Sequence, residues 1–504
     1  LSLERLPELT DEERDDKAVQ KLEEGQNFRF SRDLLRFEGK SEYGWLFEDY
    51  SHLVGRALRK THVNSFHPTE DGQAEAAEYC LDGMIRHTAG AGWLAYDYNE
   101  GYFRSDIGEA VLRFCLQKLA RERYDLRDAD ERKEFMKFAE KAVTEPCIRH
   151  VEKLLESRRS VFALPSDFDK AYYLLNCKGE TYDLRTGEHA PSLPEHFHTK
   201  TTGFRPEEGD FPVFLDFLND VTCGDTELAA WIMRWFGYCL TGDIKASYFV
   251  NFHGSGRNGK GTLLHVMRQI MGTYAREIDS EIIVKEKTGN VKHAHADLVG
   301  IRAGFAADVP AGTLNMTSLK TITGGDEIIA ERKYHDSFPF RPIVKLTFSS
   351  NPKLRLPETG QAIKSRLRYV PFKAKFAGRE DRGLEDRLLK EAPQILAWLI
   401  REAGEYLRNA DTNGFPPCKA IDEATEDYIR EEDVIGQFLE ECTVKMEGVK
   451  VKVSELYNKY INWTGSNDNP MKKQAFGRRM AERDVEKERN RDGWYYKAIQ
   501  LKDV

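Results

Sequence analysis

Paired cysteines, long apolar runs and a positive charge balance are what this sequence lacks. Its eight cysteines, at positions 80, 115, 147, 177, 223, 239, 418 and 442, never fall close together. With no C-x-x-C pair and no cysteine–histidine cluster at zinc spacing, a zinc ribbon or disulfide framework is excluded, and reduced, mostly buried thiols are expected. The two His-x-His pairs, His196–His198 and His293–His295, each have one nearby carboxylate (Glu195, Asp297) and no thiolate, too few ligands to define a metal site. No apolar stretch approaches the ~20 residues of a bilayer span, so no membrane partner is expected. The opening segment is acidic and amphipathic and does not read as a secretory signal. It starts at Leu1 rather than Met, and further sequence is expected upstream. Lys and Arg number 75 against 84 Asp and Glu, a net charge of −9, which argues against a broadly basic surface. Nucleic acid could then be held only in a local basic channel, because binding follows the local field.

What is present is ample for folding. At 504 residues, 40% of them hydrophobic, the chain has material for about three cores at ~150 residues each. Residues 1–92 read as charged helices and loops. The aromatic segment 93–104 has Asn99-Glu100-Gly101 at its centre, a hairpin signal, and helical periodicity follows over 107–160. Short strands are expected at 172–175 and 182–184, then a Pro-rich stretch, then two apolar helices ending at Gly242. From 246 the pattern changes to strands (247–252, 301–307, 343–349, 367–372) separated by helical stretches, which implies a mostly parallel, helix-covered sheet. A helical stretch over 384–407 closes that unit. Past the linker 413–417, residues 420–504 read as a separate small domain. Its strand 449–453 runs to Ser454 as a helix N-cap, and a basic helix and a hairpin follow.

The strongest motif is Gly254-Ser255-Gly256-Arg257-Asn258-Gly259-Lys260-Gly261-Thr262, directly after a strand and before a helix. Such a loop turns backbone N–H groups toward a phosphate chain, and the lysine reaches the β/γ-phosphates of ATP. The strict pattern wants a hydroxyl right after the lysine to hold Mg2+. Here Gly261 stands there, so Mg2+ either goes to Thr262 or falls mainly to an acidic residue and water. A rival reading also fits: Gly254, Gly256 and Gly259 match a dinucleotide loop, with Asp279 placed 20 residues beyond as the ribose acid. Lys260 has no use in such a loop and favours the triphosphate. Downstream, 301–307 ends in Asp308, which suits an acid that orders the metal and the attacking water. Then come Thr323-Gly324-Gly325-Asp326, a hairpin with Arg332-Lys333-Tyr334-His335 at its tip, the strand ending Ser350-Asn351-Pro352, and Arg366-Leu367-Arg368-Tyr369-Val370-Pro371-Phe372.

This ordered series resembles the superfamily 3 helicases, in particular the primase-helicase family of phages, plasmids and poxviruses. The likeness covers roughly 93–504, since segments 176–187 and 236–243 resemble that family's preceding domain. It implies a multidomain α/β protein: a linker and helical region (1–92), a mainly α helicase-associated domain with small β elements (93–245), an AAA+-type P-loop ATPase (246–410) and a winged-helix-like domain (420–504). It implies a DNA helicase with ATP and Mg2+ as cofactors, acting as a homo-oligomeric ring, expected hexameric, on single-stranded or forked DNA. In that picture Lys260 contacts the γ-phosphate, Asp308 is the Walker B acid, and Thr262 and Asp308 hold the metal. Asn351 senses the γ-phosphate, and Arg366 is the arginine finger, with Arg368 the alternative. Lys333 and His335 would grip DNA in the pore, helped by Arg332 and Tyr334. Neither Asp128/Asp130 nor Asp167/Asp169 suits a primase metal pair, which leaves priming to an upstream domain or protein. The location implied is the cytoplasm, the host's if the gene is viral. The alternative is an ATP-binding replication scaffold that hydrolyses little, prompted by Gly261 and by Val309 where a second acid often follows Asp308.

Overall fold

The computed structural model describes residues 50, 54, 66–125, 129–285, 291–331, 337–378, 381–412, 414–465, 470–483 and 485–502. The chain divides into two compact units, residues 1–208 with 269–274, and residues 209–268 with 275–504. In the first, helix α1 (Glu70–Cys80) precedes an antiparallel sheet of β1 (Ile85–Thr88), β2 (Gly92–Asp97) and β3 (Tyr102–Arg104). The β2–β3 hairpin turns at the expected Asn99-Glu100-Gly101. Helices α2 (Gly108–Asp125), α3 (Ala129–Ala142) and α4 (Glu145–Glu156) follow, then a second small sheet of β4 (Leu174–Asn176), β5 (Glu180–Asp183) and β6 (His189–Pro191). The first His-x-His pair belongs to a polar knot in this sheet. The Thr181 hydroxyl meets His196 Nδ1 and His198 Nε2, each at 3.0 Å, and Ser192 Oγ at 2.8 Å. Ser192 in turn donates to Asn176 Oδ1 at 2.7 Å. Buried polar atoms are expensive unless paired, and this knot pairs them.

The second unit begins at α5 (Pro212–Val221) and α6 (Thr226–Leu240). The contact pattern groups both with the residues that follow rather than with those before, so the break falls at 208/209 and not at the expected 245. Five parallel strands make its sheet: β7 (Phe249–His253), β8 (Ala275–Glu277), β9 (Ala303–Ala306), β12 (Lys345–Ser350) and β13 (Leu367–Pro371), in the order β13-β7-β12-β9-β8. Helix α7 (Lys260–Met271) follows β7, α8 (Val291–Ala296) lies between β8 and β9, and α9 (Met316–Gly324) comes after β9. A separate antiparallel pair, β10 (Ile328–Ala330) and β11 (Phe338–Phe340), brackets residues 331–337. The tip residues Arg332, Lys333, Tyr334 and His335 lie outside the described residues. The short helix α10 (Gln361–Lys364) precedes β13. The expected single helix over 384–407 is two, α11 (Leu384–Lys390) and α12 (Ala392–Asn409), because Pro393 sets a new first turn. Glu391 between them accepts from the Val213 and Phe214 amides and so caps α5.

Helix α6 explains the buried side of the sheet. Asp225 caps it by accepting from the Leu228 amide, and the helix is apolar nearly all round because both its faces are covered. Trp235 is fully buried, its indole N–H donating to Thr347 Oγ1 of β12 at 2.8 Å, and Phe236 meets Phe252 and Phe305 edge-on. At the far end, two buried cations satisfy the last carbonyls. Arg302 donates to Leu240 O at 2.6 Å and Lys345 to Thr241 O, charge that suits the negative end of a helix. Burial pushes the Lys345 ammonium down to about 7, with nearby Arg302 adding to the shift. Its folded value lies below its unfolded one, so between about pH 7 and 10 the unfolded chain holds a proton that the folded chain has lost. Stability from this group should therefore rise with pH, by up to about 1.4 kcal/mol per unit. Denaturant midpoints at pH 7, 8 and 9 should show this slope in the native chain and lose it in Lys345→Met.

Helix α13 (Lys419–Glu431) packs on β13 and leads to a three-helix, three-strand domain: α14 (Val434–Cys442), β14 (Thr443–Lys452), α15 (Val453–Thr464), α16 (Lys473–Ala481), β15 (Lys487–Asn490) and β16 (Gly493–Leu501). Its sheet order is β14-β16-β15, and the β15–β16 hairpin is the wing of a winged helix. Two details differ from expectation. The first strand spans 443–452 rather than 449–453, and α15 starts at Val453 behind Lys452 without a side-chain cap, so Ser454 lies inside the helix.

Candidate nucleotide-binding site

Parallel strands put their C-terminal ends on one edge, and the candidate residues follow from that. β7 runs into the glycine-rich loop, β12 into Asn351, and β9 ends two residues before Asp308. Within the loop, Gly256 and Gly259 have φ of +87° and +84°, and a Cβ at Gly259 would sit 2.5 Å from Val221 Cγ1 of α5. Only glycine suits such a turn. Lys260, the first residue of α7, is 3% exposed. Its ammonium donates to Gly254 O at 2.9 Å, Asn258 Oδ1 at 2.9 Å and Asn351 Oδ1 at 3.1 Å. Burial lowers its pKa, and the charge of Asp308 works the other way. Ser255 and Arg257 are exposed on the loop and Thr262 is half-buried. Gly261 faces open space, with no atom within 4 Å of where its Cβ would be, so packing does not require a glycine there.

Asp308 is exposed with φ of +50°, its amide donating to Ser349 Oγ at 3.0 Å. The loop, Lys260, Asn351 and Asp308 are thus brought to one edge. Arg366 is not among them. Leu367 pairs with Phe249, at the start of β7, so Arg366 lies at the opposite edge of the sheet. Five residues at ~3.3 Å each separate it from its own loop, about 16 Å. Its guanidinium has only long contacts to Ala362 O and Ser365 Oγ, and its Nε is buried without a partner. Arg368 is differently engaged: its guanidinium lies 3.7 Å over the Tyr248 ring and donates to Leu367 O at 2.9 Å.

Strand order disposes of the dinucleotide reading. In that fold the strand after the glycine loop's helix neighbours the loop strand, but here β12 and β9 intervene between β7 and β8. Asp279, just past β8, caps a short turn by accepting from the Glu281 amide. It cannot reach a ribose at the loop.

Two features escaped the sequence, Ser349 and His253, and Asn258, expected only as one residue of the ATP-binding loop, has a more specific place. Asn258 is 2% exposed and bridges Lys260 to Phe372 O, the residue after β13. Ser349 supports Asp308. His253, the last residue of β7, stacks on Tyr369, which stacks on Tyr428 of α13. One signal existed for Ser349: β12 is wholly buried yet carries Thr347, Ser349 and Ser350, polar groups that need partners. Nothing in the sequence singles out His253, and the motif marks Asn258 only as a member of the loop. Among the described residues no cluster of three or more His, Cys, Asp or Glu could hold a metal, and no helix is long and apolar enough to cross a membrane.

Comparison with known families gives three matches in chain order. Residues 75–223 match the "D5 N terminal like" family, 252–366 a family of unknown function (DUF5906), and 430–500 the "Poxvirus D5 protein-like" family. Among curated relatives, "Putative helicase L207/L206" of Acanthamoeba polyphaga mimivirus is 23% identical over 327 residues, 60% of this chain and 34% of that protein. "Putative helicase 022R" of Frog virus 3 (isolate Goorha) is 26% identical over 233 residues, 42% of this chain and 24% of that one. The chain thus spans about a third or less of the length of these relatives. Of solved structures, the apo C-terminal region of NrS-1 superposes with a TM-score of 0.44 at 11% identity, covering 70% of this chain and 89% of that one. D5-type segments at both ends, with a parallel sheet and a glycine-rich loop between them, and viral relatives named as putative helicases make this chain similar to the primase-helicases of phages and poxviruses.

Proposed function

We propose that this chain is the motor portion of a viral DNA helicase, hydrolysing ATP in a homo-oligomeric ring to move along single-stranded or forked DNA. The observation that carries the reading is the division of the sheet: lysine, amide and carboxylate at one edge, an unpaired arginine at the other. One chain then supplies the cradle, and a neighbour's Arg366 supplies the missing charge.

The residues fit a triphosphate. The glycine turn leaves backbone N–H groups and a helix N-terminus for phosphate oxygens, and the Lys260 ammonium rests on three neutral acceptors. A γ-phosphate oxygen can replace Asn351 Oδ1 without breaking an ion pair. Asn258 holds Lys260 in line throughout. Thr262 and Asp308 would hold Mg2+, which when bound supplies positive charge against the phosphate oxygens. Asp308 would orient the attacking water, and Asn351, released from Lys260, would read the γ-phosphate. Lys333 and His335, with Arg332 and Tyr334, would contact DNA between β10 and β11.

Gly261, which offers no hydroxyl where Mg2+ is usually held, and Asp308 without a second acid beside it favour a second reading, an ATP-binding scaffold with little turnover. Steady-state ATP hydrolysis with and without single-stranded DNA separates the two. The motor reading expects DNA-stimulated turnover and unwinding of a forked duplex. Thr262→Ala should cut turnover by about 10–100-fold, the order of loss when a metal site is deprived of one supporting group. Nucleotide binding without turnover would favour the scaffold.

A further inference from the structure

The winged domain contains a groove that the motor reading does not use. It has a volume of about 840 Å3 and lies between α16, the start of α15 and the β15–β16 hairpin. Its lining includes Lys452, Lys473, Arg478 and Lys487 and no carboxylate. All four cations are exposed, and among the described residues none is ion-paired. In a chain of net charge −9, four unpaired cations around one concavity mark a local field of opposite sign. Trp494 forms part of the wall with 46% of its surface exposed. Lys487 Nζ lies 5.0 Å from the centre of its ring and the Arg489 guanidinium 5.8 Å.

The rest of α16 is committed elsewhere. Phe476 and Met480 are buried in the domain core. Arg479 donates to Leu356 O at 2.8 Å and Thr359 Oγ1 at 3.3 Å, and the Arg483 guanidinium pairs with Asp433. The exposed cations that α16 keeps, Lys473 and Arg478, both line the groove, rather than a separate convex face of the kind laid into a duplex major groove. What the helix offers is one wall of a concave, cationic channel whose other wall is an exposed indole. That combination suits a flexible backbone with unpaired bases: the cations follow the phosphates and a base stacks on the ring.

We propose that this groove binds single-stranded nucleic acid, with Lys452, Lys473, Arg478 and Lys487 on the phosphates and Trp494 stacked on a base. The proposal deepens the helicase reading by giving its DNA a second contact, but it does not depend on ATP hydrolysis. The test uses the full chain carrying Lys333→Ala and His335→Ala, so that the other proposed DNA contact does not dominate. Binding of a fluorescein-labelled oligothymidylate is followed by anisotropy over a range of salt.

Trp494→Ala should weaken binding by about 5–150-fold, the loss of one stacked base, and Trp494→Phe should recover most of it. Arg478→Gln should flatten the salt dependence by about 0.7 in the log–log slope, the loss of one phosphate contact to a single strand. Unchanged affinity and slope in these variants would overturn the proposal. So would tighter binding of a duplex of equal length, or equal competition by polyglutamate, which would show a non-specific anion trap. ATP turnover, with and without single-stranded DNA, is measured separately on the chain with Lys333 and His335 intact, with and without Trp494→Ala. If turnover is absent while the Trp494 effect persists, the motor reading fails and the groove stands. Normal turnover with no Trp494 effect means the reverse.

Discussion

Alanine at Arg366 should lower ATP turnover by about 10³–10⁵, the usual effect of removing an arginine finger, while nucleotide binding survives because the loop is intact. The reason is geometric. Arg366 lies at the edge of the sheet away from its own loop, its guanidinium held by no carboxylate and its Nε without a partner. An always-charged, planar group with only long contacts to neutral acceptors is suited to a neighbour's developing negative charge. Lys260→Ala should be equally inactive, for a different reason: its ammonium is buried in the loop, beside Gly254 O, Asn258 and Asn351. Mixing the two inactive proteins should then restore part of the turnover, because some interfaces in a mixed ring pair an intact Lys260 with an intact Arg366. Recovery is read from steady-state phosphate release against the mixing ratio. If the proteins co-assemble and mixing restores nothing, Arg366 does not act across an interface. Arg368, engaged on Tyr248, would be the next residue to test.

The second large effect is on folding. Trp235→Ala should cost about 3–5 kcal/mol, the range for deleting a large buried aromatic. Trp235 is fully buried between α6 and the sheet, so a cavity is left under the strand that carries Asn351. The Thr347 hydroxyl also loses the indole donor, which adds a buried polar group to the loss. The check is the denaturant midpoint of the second unit, followed by near-ultraviolet circular dichroism. Trp235→Phe keeps most of the volume and loses the N–H, so the gap between the two variants separates packing from the hydrogen bond. A shift below ~1 kcal/mol for the alanine variant would mean that α6 is not anchored here.

Much of this was legible in the residues. The glycine spacing and Lys260 announce a phosphate loop after a strand, because so few conformations let consecutive amides converge. The five strands of the parallel sheet are less evenly written: four were expected within two residues or so, but β8, only three residues long, carries too little pattern to be seen. Strand order was not legible at all. It depends on which strands pair across a hundred residues, and local periodicity is silent on that. For this reason Asp279 could look like a ribose acid until the sheet put two strands between it and the loop. The lysine's partners were half legible: Asn351 stood out at the end of its strand, whereas Asn258 was expected only as one of the loop's nucleotide-binding residues, and its contact with Lys260 was not. The winged domain was readable as a layout, yet its groove was not, since Lys452, Lys473, Lys487 and Trp494 come together only in the tertiary fold.

The strand order has a consequence for how the chain is made. The strand feeding the phosphate loop spans 249–253, but its two neighbours are 345–350 and 367–371. On the ribosome roughly a hundred residues must still be added before either partner exists. Until then the Phe249–His253 segment, apolar and buried in the finished sheet, presents both of its edges unpaired. Such exposed, non-local strands fold slowly and are prone to associate with other chains. Truncation before 345 should therefore yield insoluble protein, and truncation just before 367 a sheet whose loop strand has become an edge. The glycine-rich loop is among the earlier parts of this unit to be synthesised and among the last to be fastened in place.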